Sequence, residues 1–124
     1  MEPKIVYNED CGNSPKTQLL KELNIAGANK NTNFITRHIS ETICCEVVGG
    51  EKIHGEKDVI NTIKQADPII QLEINNIITH GRTGAVNGTI STENNSYGFC
   101  HVYNFTGAGK TAKIKKITIY IIEE

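Results

Sequence analysis

The stretch Ser96–Ile122, SYGFCHVYNFTGAGKTAKIKKITIYII, decides the fold of this 124-residue chain. Four residues with rings alternate along its first part with smaller side chains: Phe99, His101, Tyr103 and Phe105. This period of two predicts a strand with two different faces. The segment Gly107–Lys110 is typical of a turn, and Ile114–Ile122 predicts a second, β-branched strand. A long hairpin of this kind needs a helix or more sheet to cover it.

The residues before the hairpin predict three helices. Ser14 and Pro15 are typical of an N-cap followed by proline at the first helical position. The apolar stripe of this first helix consists of Leu19, Leu20, Leu23 and Ala26. The helix is predicted to end at Gly27 and the polar run 29–31. A short second helix follows from residue 31 or 32, a third is predicted near residues 56–65, and residues 1–13 are expected to form a lead-in.

The remaining segments predict antiparallel strands. The first, Thr42–Val48, places Thr42, Cys44 and Glu46 on one face, and Ile69–Thr79 and Thr83–Thr92 follow later. Glycines at 84 and 88 indicate strong curvature or close backbone approach. Because helices come mostly first and strands last, the predicted class is α+β, with a cone-shaped curved antiparallel sheet packed on three helices. No linker or repeat divides residues 1–124, so we expect a single domain.

Composition excludes several classes of function. The net charge of −1 gives no general attraction to nucleic acid, and no apolar run approaches the roughly 20 residues of a membrane-spanning helix. The amino terminus lacks the apolar core of a signal peptide. The four cysteines form no CxxC pair and the histidines no metal-binding pair, so we expect reduced thiols, a cytoplasmic location, and neither metal nor cofactor.

Several local strings, taken in order, resemble one family. They are the stripe of the first helix, the strand Thr42–Val48 with Gly49 after it, Ile53-His54-Gly55 before a helix, and residues 99–103. This set is similar to the nuclear transport factor two-like superfamily, in its SnoaL-like branch, and covers nearly the whole chain. The resemblance implies a cystatin-like cone, which can hold a small molecule, and pairing into a homodimer.

The segment Phe105–Lys110 more closely resembles the strand end and turn of ketosteroid isomerases. The resemblance implies that His101 occupies the position of their neutral acid and that Leu19 replaces their tyrosine. Glu46 falls at the position of their carboxylate base, whereas a one-residue slip places Val47 there. The steroid reaction is therefore disfavoured, and a related proton transfer stays open.

His101 is the leading candidate residue, because an imidazole on an aromatic face can donate one hydrogen bond to a ligand oxygen. A core histidine bonded to a backbone carbonyl is the alternative. Glu46 is the candidate base if its face is inward, and a solvated glutamate otherwise. The candidate ligand-binding residues are Tyr103, Phe99, Leu19, Cys44 and Asn76.

Three functions follow from these candidates. The first is binding of a small, mostly apolar molecule in the cone. The second is a lyase, isomerase or hydrolase reaction on a small carbonyl compound, with Glu46 as base and His101 as donor or acid. The third is homodimerisation without catalysis, through an apolar patch of Ile117, Ile119 and Ile121, which we expect to lie opposite a face formed by Ile114, Lys116, Thr118 and Tyr120.

Overall fold

The computed structural model describes residues 2–8 and 14–124, which form three helices packed on a seven-stranded curved sheet. The helices are α1 (Pro15–Asn29), α2 (Thr32–His38) and α3 (Glu56–Gln65). The strands are β1 (Lys4–Tyr7), β2 (Ile39–Val47), β3 (Lys52–His54), β4 (Ile69–His80), β5 (Thr83–Thr92), β6 (Ser96–Phe105) and β7 (Ile114–Glu123). They lie in the order β1-β4-β5-β6-β7-β2-β3. The predicted α+β cone is confirmed.

The start of α1 follows its sequence signals, and its end does not. The Ser14 side chain accepts a hydrogen bond from the Thr17 backbone N–H at 3.1 Å, as expected of an N-cap. The helix then passes through Gly27 and ends at Asn29, where Lys30 adopts the left-handed conformation with φ of 55°. The polar run therefore ends the helix, and the prediction that Gly27 contributes to the stop was wrong. No helix in the described part of the chain is long and apolar enough to cross a membrane.

The lead-in expected at residues 1–13 contains a strand. Residues 4–7 form β1, which pairs in parallel with β4, from Lys4 beside Gln71 to Tyr7 beside Ile74. Four residues are too few for a clear alternation, and their pairing partner lies far along the chain, so the sequence gives little sign of this strand. The pairing of β2 with β7 is also parallel, so the sheet is mixed.

Bulges reverse the predicted faces of β4. The pairing with β5 shifts between Ile69 and Gln71 and again between Ile74 and Asn76, which leaves Ile70 and Asn75 as extra residues. Leu72 and Ile74 are buried as expected, but the next buried residue is Ile77. Strict alternation from Leu72 and Ile74 would place Asn76 and Ile78 on the same inward face, but the bulge at Asn75 turns both outward.

A bulge has the same effect on β7. The pairing with β6 joins Phe105 to Ile114 and Asn104 to Lys116, so Lys115 is the extra residue. Ile114 consequently shares the inward face with the isoleucines at 117 and 119 instead of sharing a face with Lys116. Ile117 and Ile119, which were expected to belong to an apolar dimer surface, therefore lie inside the cone.

The second bulge of β4 lies opposite a glycine that the fold requires. A Cβ added to Gly88 would lie 1.8 Å from the carbonyl oxygen of Glu73, far inside any permitted contact between the two backbones. A Cβ added to Gly84 would lie 2.6 Å from Leu20 Cδ1, the end of a side chain that can move. The two strand glycines thus differ in how strictly the backbone demands them.

We predict that Gly88→Ala lowers the free energy of unfolding by about 3 kcal/mol, because β4 or β5 must shift to admit the methyl group. Gly84→Ala should have a smaller effect of about 1 kcal/mol, because Leu20 can adopt another rotamer. Gly109 provides the neutral control, because a Cβ added there would meet no heavy atom within 4 Å beyond its chain neighbours. Urea denaturation measures all three, and equal stability of the Gly88 and Gly109 variants would contradict the prediction.

Candidate functional site

A cavity of about 260 Å³ lies between the inward face of the sheet and the helices. Its wall is aliphatic over most of its area. The helices contribute Leu23, Ile35 and Val59, among others, and the strands contribute Ile53, Leu72, Ile90, Ile117 and Ile119. The inward faces of β4 and β7 therefore supply much of this wall.

The cavity opens near the carboxyl end of α3. Three of its lining residues are exposed, namely Thr62, Ala66 and Asp67, and all lie in or just after the last turn of that helix. Lys30 also borders this opening, and its ammonium group donates to the backbone carbonyls of Lys64, at 3.0 Å, and Ala66. This contact joins the end of α1 to the end of α3 at the mouth of the cavity. It places a positive charge at the C-terminus of α3, where the helix dipole stabilises cations.

Three polar side chains form a hydrogen-bonded group on the wall. Asn24 Nδ2 donates to the Leu20 carbonyl at 2.8 Å and to the Tyr103 hydroxyl at 3.0 Å. The same hydroxyl lies 3.3 Å from His101 Nδ1. Asn24, Tyr103 and His101, which we call the polar triad, all line the cavity.

These bonds are compatible with a neutral His101 that carries its proton on Nε2. The Tyr103 hydroxyl accepts from Asn24, so its own proton can be donated to His101 Nδ1. A neutral imidazole that accepts at Nδ1 carries its proton on Nε2. Nε2 makes no hydrogen bond with any residue that the structure describes, so this N–H is available to a molecule in the cavity.

Burial keeps the polar triad neutral. Loss of hydration lowers the pKa of His101 to about 4, although the ring keeps some accessible surface because it borders the cavity. Burial likewise raises the pKa of Tyr103, against a smaller opposing effect of the Asn24 hydrogen bond. Cys45 also lines the cavity, and burial is the main cause that raises the pKa of its thiol to about 11. The polar triad and Cys45 are therefore uncharged at neutral pH.

The candidates on β6 lie where the alternation predicts. His101 and Tyr103 line the cavity, and Phe99 shares their face, with its ring centroid 4.7 Å from that of His101. Phe99 is buried in the core beside the histidine and forms no part of the cavity wall. Leu19 also packs against the core without reaching the wall.

The candidates on β2 and β4 face away from the cavity. Cys45 is the inward residue of β2, so its neighbours Cys44 and Glu46 point to the opposite side of the sheet. Glu46 there forms an ion pair with Lys116 at 3.8 Å. Asn76 is exposed beyond the bulge and donates to Asn87 at 3.0 Å. The predictions that these three residues line the pocket were wrong.

Asn24 is the residue of the polar triad that the sequence interpretation missed. Its position was open to inference, because it lies one turn after the buried Leu20 and one residue after the buried Leu23. An amide on the buried side of an amphipathic helix needs a partner, and Tyr103 provides it.

Metal ligands and disulfides do not contribute to this site. Among the residues that the structure describes, no group of three or more His, Cys, Asp or Glu side chains is arranged to hold a metal ion. The described cysteines, at 44, 45 and 100, are free thiols, and Cys11 lies outside the described residues.

We predict that His101 makes the protein less stable in acid. Its pKa is about 4 when folded and 6.5 in the unfolded chain, so the unfolded state binds the proton more tightly. Stability is therefore full above pH 6.5 and falls as the pH drops towards 4, by about 3 kcal/mol in total. His101→Gln should remove this part of the slope, measured by urea denaturation at several pH values.

The exposed His80 supplies the matched control, since His80→Gln should retain the wild-type slope. His38, whose pKa is also lowered by burial, adds to the slope in the same sense in every variant. A slope unchanged by His101→Gln would contradict the buried, neutral histidine.

Comparison with known proteins supports the fold. No protein-family model matches the sequence, and no curated protein matches it. An NTF-2 like protein of unknown function from Burkholderia xenovorans superposes with a TM-score of 0.77 at 15% identity, covering 89% of this chain and 84% of that one. A putative ketosteroid isomerase from Kribbella flavida gives a TM-score of 0.74 at 14% identity, with coverage of 86% and 77%.

A putative SnoaL-like polyketide cyclase from Shewanella denitrificans is similar to the same degree. Its TM-score is 0.74 at 8% identity, over 89% of this chain and 92% of that one. Identities this low relate the chains by fold. The fold that the resemblance implies is thereby confirmed, and the chain has the cone fold of nuclear transport factor two-like proteins.

Proposed function

We propose that this protein binds a small, mostly apolar molecule through one hydrogen-bond-accepting oxygen. The observation that carries the proposal is the unbonded Nε2 of His101, a residue on the wall of a mostly apolar cavity. A ligand oxygen at this point would accept a hydrogen bond from a group that no described residue engages. Proteins of this fold that are named as an isomerase or a cyclase are consistent with a ligand in the cone.

The chemistry of the wall favours a neutral ligand. The polar triad is uncharged at neutral pH, and the Lys30 ammonium at the mouth is already engaged by the carbonyls of α3. A carboxylate in the cavity would therefore lose its hydration without gaining a cation. Since a cavity of about 150 Å³ holds benzene, one of about 260 Å³ admits about ten non-hydrogen atoms. A cyclic ketone or lactone has this size and polarity.

A reaction on the bound molecule is the rival proposal, with Glu46 as base and His101 as donor or acid. Its support is weaker, because Glu46 and His101 point to opposite sides of the sheet. Among the described residues that line the cavity, the single carboxylate is Asp67 at the mouth. His101 remains able to polarise a carbonyl, so a reaction would require a base that comes with the substrate or with water.

We predict that a bicyclic ketone such as 2-decalone stabilises the wild type, by about 2.7 kcal/mol at 100 times its dissociation constant. His101→Phe keeps a ring and removes the donor, so the ketone should bind about tenfold more weakly or worse. Glu46→Gln is the control from the opposite face and should bind as the wild type does. Thermal shift and titration calorimetry measure both effects.

Two outcomes would count against the binding proposal. The first is equal affinity of the wild type and His101→Phe, and the second is failure of ketones and lactones to bind at all. Product analysis after incubation addresses the rival, because turnover that is lost in Glu46→Gln while binding persists would favour the enzyme.

We also propose that the outward face of the sheet pairs with a second copy of the chain. Strand register aligns a mostly apolar row across this face, from Ile78 on β4 through Ala85 and Val102 to Thr118. Ile78 is 67% exposed, and Ile122 on the same face is 73% exposed. Large exposed aliphatic side chains on a face without a helix favour a partner, and a two-fold axis would place this row against itself.

Ile78→Asp should abolish such a dimer, because a carboxylate would be buried within the interface. Val48, which is 50% exposed in the turn after β2, provides the control, and Val48→Asp should leave the assembly unchanged. Sedimentation equilibrium measures the mass. A wild type that is monomeric at high micromolar concentration would contradict the proposal.

A further inference from the structure

Gly27 occupies an unusual place in the cavity wall. It lies inside α1, three residues after Asn24, and both residues line the cavity. Glycine inside a helix lowers stability relative to alanine, because its backbone loses more conformational freedom on folding. A glycine at this position therefore needs a reason.

The fold supplies no such reason. A Cβ added to Gly27 would meet no heavy atom of the described residues within 4 Å, apart from the backbone of its own helix. Its φ also lies outside the left-handed region, which is where glycine is favoured. At the end of α1 it is Lys30 that adopts this conformation, at a helix terminus where glycine is common. Neither packing nor backbone conformation requires glycine at 27.

We infer that Gly27 determines which ligands the cavity accepts, by leaving a notch in α1 that part of the ligand fills. This inference rests on the binding function proposed above. Residues three apart on a helix are neighbours on one face, so the notch lies beside Asn24 and the polar triad. A molecule whose oxygen reaches His101 would extend along α1 into the notch. The preferred class is a bicyclic or elongated neutral ketone or lactone, larger than a single six-membered ring.

Two substitutions fill the notch to different extents. Gly27→Ala adds a methyl group and Gly27→Leu adds a branched side chain, and both residues favour helices. Because the space is open, we expect Gly27→Ala to raise the melting temperature by about 2 to 5 °C. Gly27→Leu should fold at least as stably as the wild type, since its side chain buries apolar surface in the cavity.

Binding should respond in the opposite direction. Cyclohexanone and 2-decalone serve as probes. Gly27→Leu should lower the affinity for 2-decalone by about tenfold or more and change the affinity for cyclohexanone by less than about threefold. Gly27→Ala should also lower the affinity for 2-decalone more than that for cyclohexanone, but by a smaller factor than Gly27→Leu. The control is Asn29→Ala, which improves helix propensity at an exposed position in the same turn and outside the cavity wall. It should raise the melting temperature and leave both affinities unchanged.

Three results would overturn the inference, and they are distinguishable. A lower melting temperature of Gly27→Ala would mean that the fold requires the glycine. A higher one, with both ketones bound as tightly by Gly27→Leu as by the wild type, would mean that the ligand does not use the notch. A wild type that binds neither ketone would overturn the proposed function and this inference with it.

Discussion

Close approach of two backbones at the β4–β5 pairing governs the shape of this protein. Gly88 faces the Glu73 carbonyl across the strand pair, at a distance that leaves no room for a side chain. The bulge at Asn75 lies next to this contact and lets Ile74 and Ile77 both turn inward. Bulges bend a strand and increase its twist, so the sheet curves around α1 instead of lying flat. The cavity lies inside that curve, where the helices do not fill it.

Within the cavity, a chain of hydrogen bonds runs from a helix backbone to a single free donor. Asn24 donates to the Leu20 carbonyl, which fixes the orientation of its amide. The amide also donates to the Tyr103 hydroxyl, and this hydroxyl in turn is hydrogen-bonded to His101. Networks in a low-dielectric interior are stabilising when they are complete and costly when they are not. In this network His101 Nε2 is a ring nitrogen without a partner among the described residues, and His101 lines the space for a ligand. This arrangement supports the proposed binding of a ligand over a role in core packing alone.

The sequence predicted the site where strands alternate without interruption. The pairing of β6 with both neighbouring strands is unbroken from Ser96 to Asn104, so His101 and Tyr103 lie on the face that the alternation predicts. On β4 and β7 each extra residue exchanges the two faces for the residues beyond it. The alternation of apolar and polar residues in one strand cannot reveal a bulge, because the bulge is defined by the pairing with the neighbouring strand. On β2 the more apolar face, with Ile43 and Cys45, is the buried one, so the hydrophobic pattern outweighs the resemblance that favoured Glu46.

The tautomer of His101 can be observed directly by long-range ¹H–¹⁵N NMR of the histidine side chains at neutral pH, with and without a saturating cyclic ketone. Tyr103 as donor to Nδ1 predicts a neutral ring with its proton on Nε2, and a change in the Nε2 resonance when the ketone binds. A ring protonated on Nδ1, or an Nε2 resonance that does not respond to a bound ketone, would contradict the assignment of His101 as the group that holds the ligand oxygen.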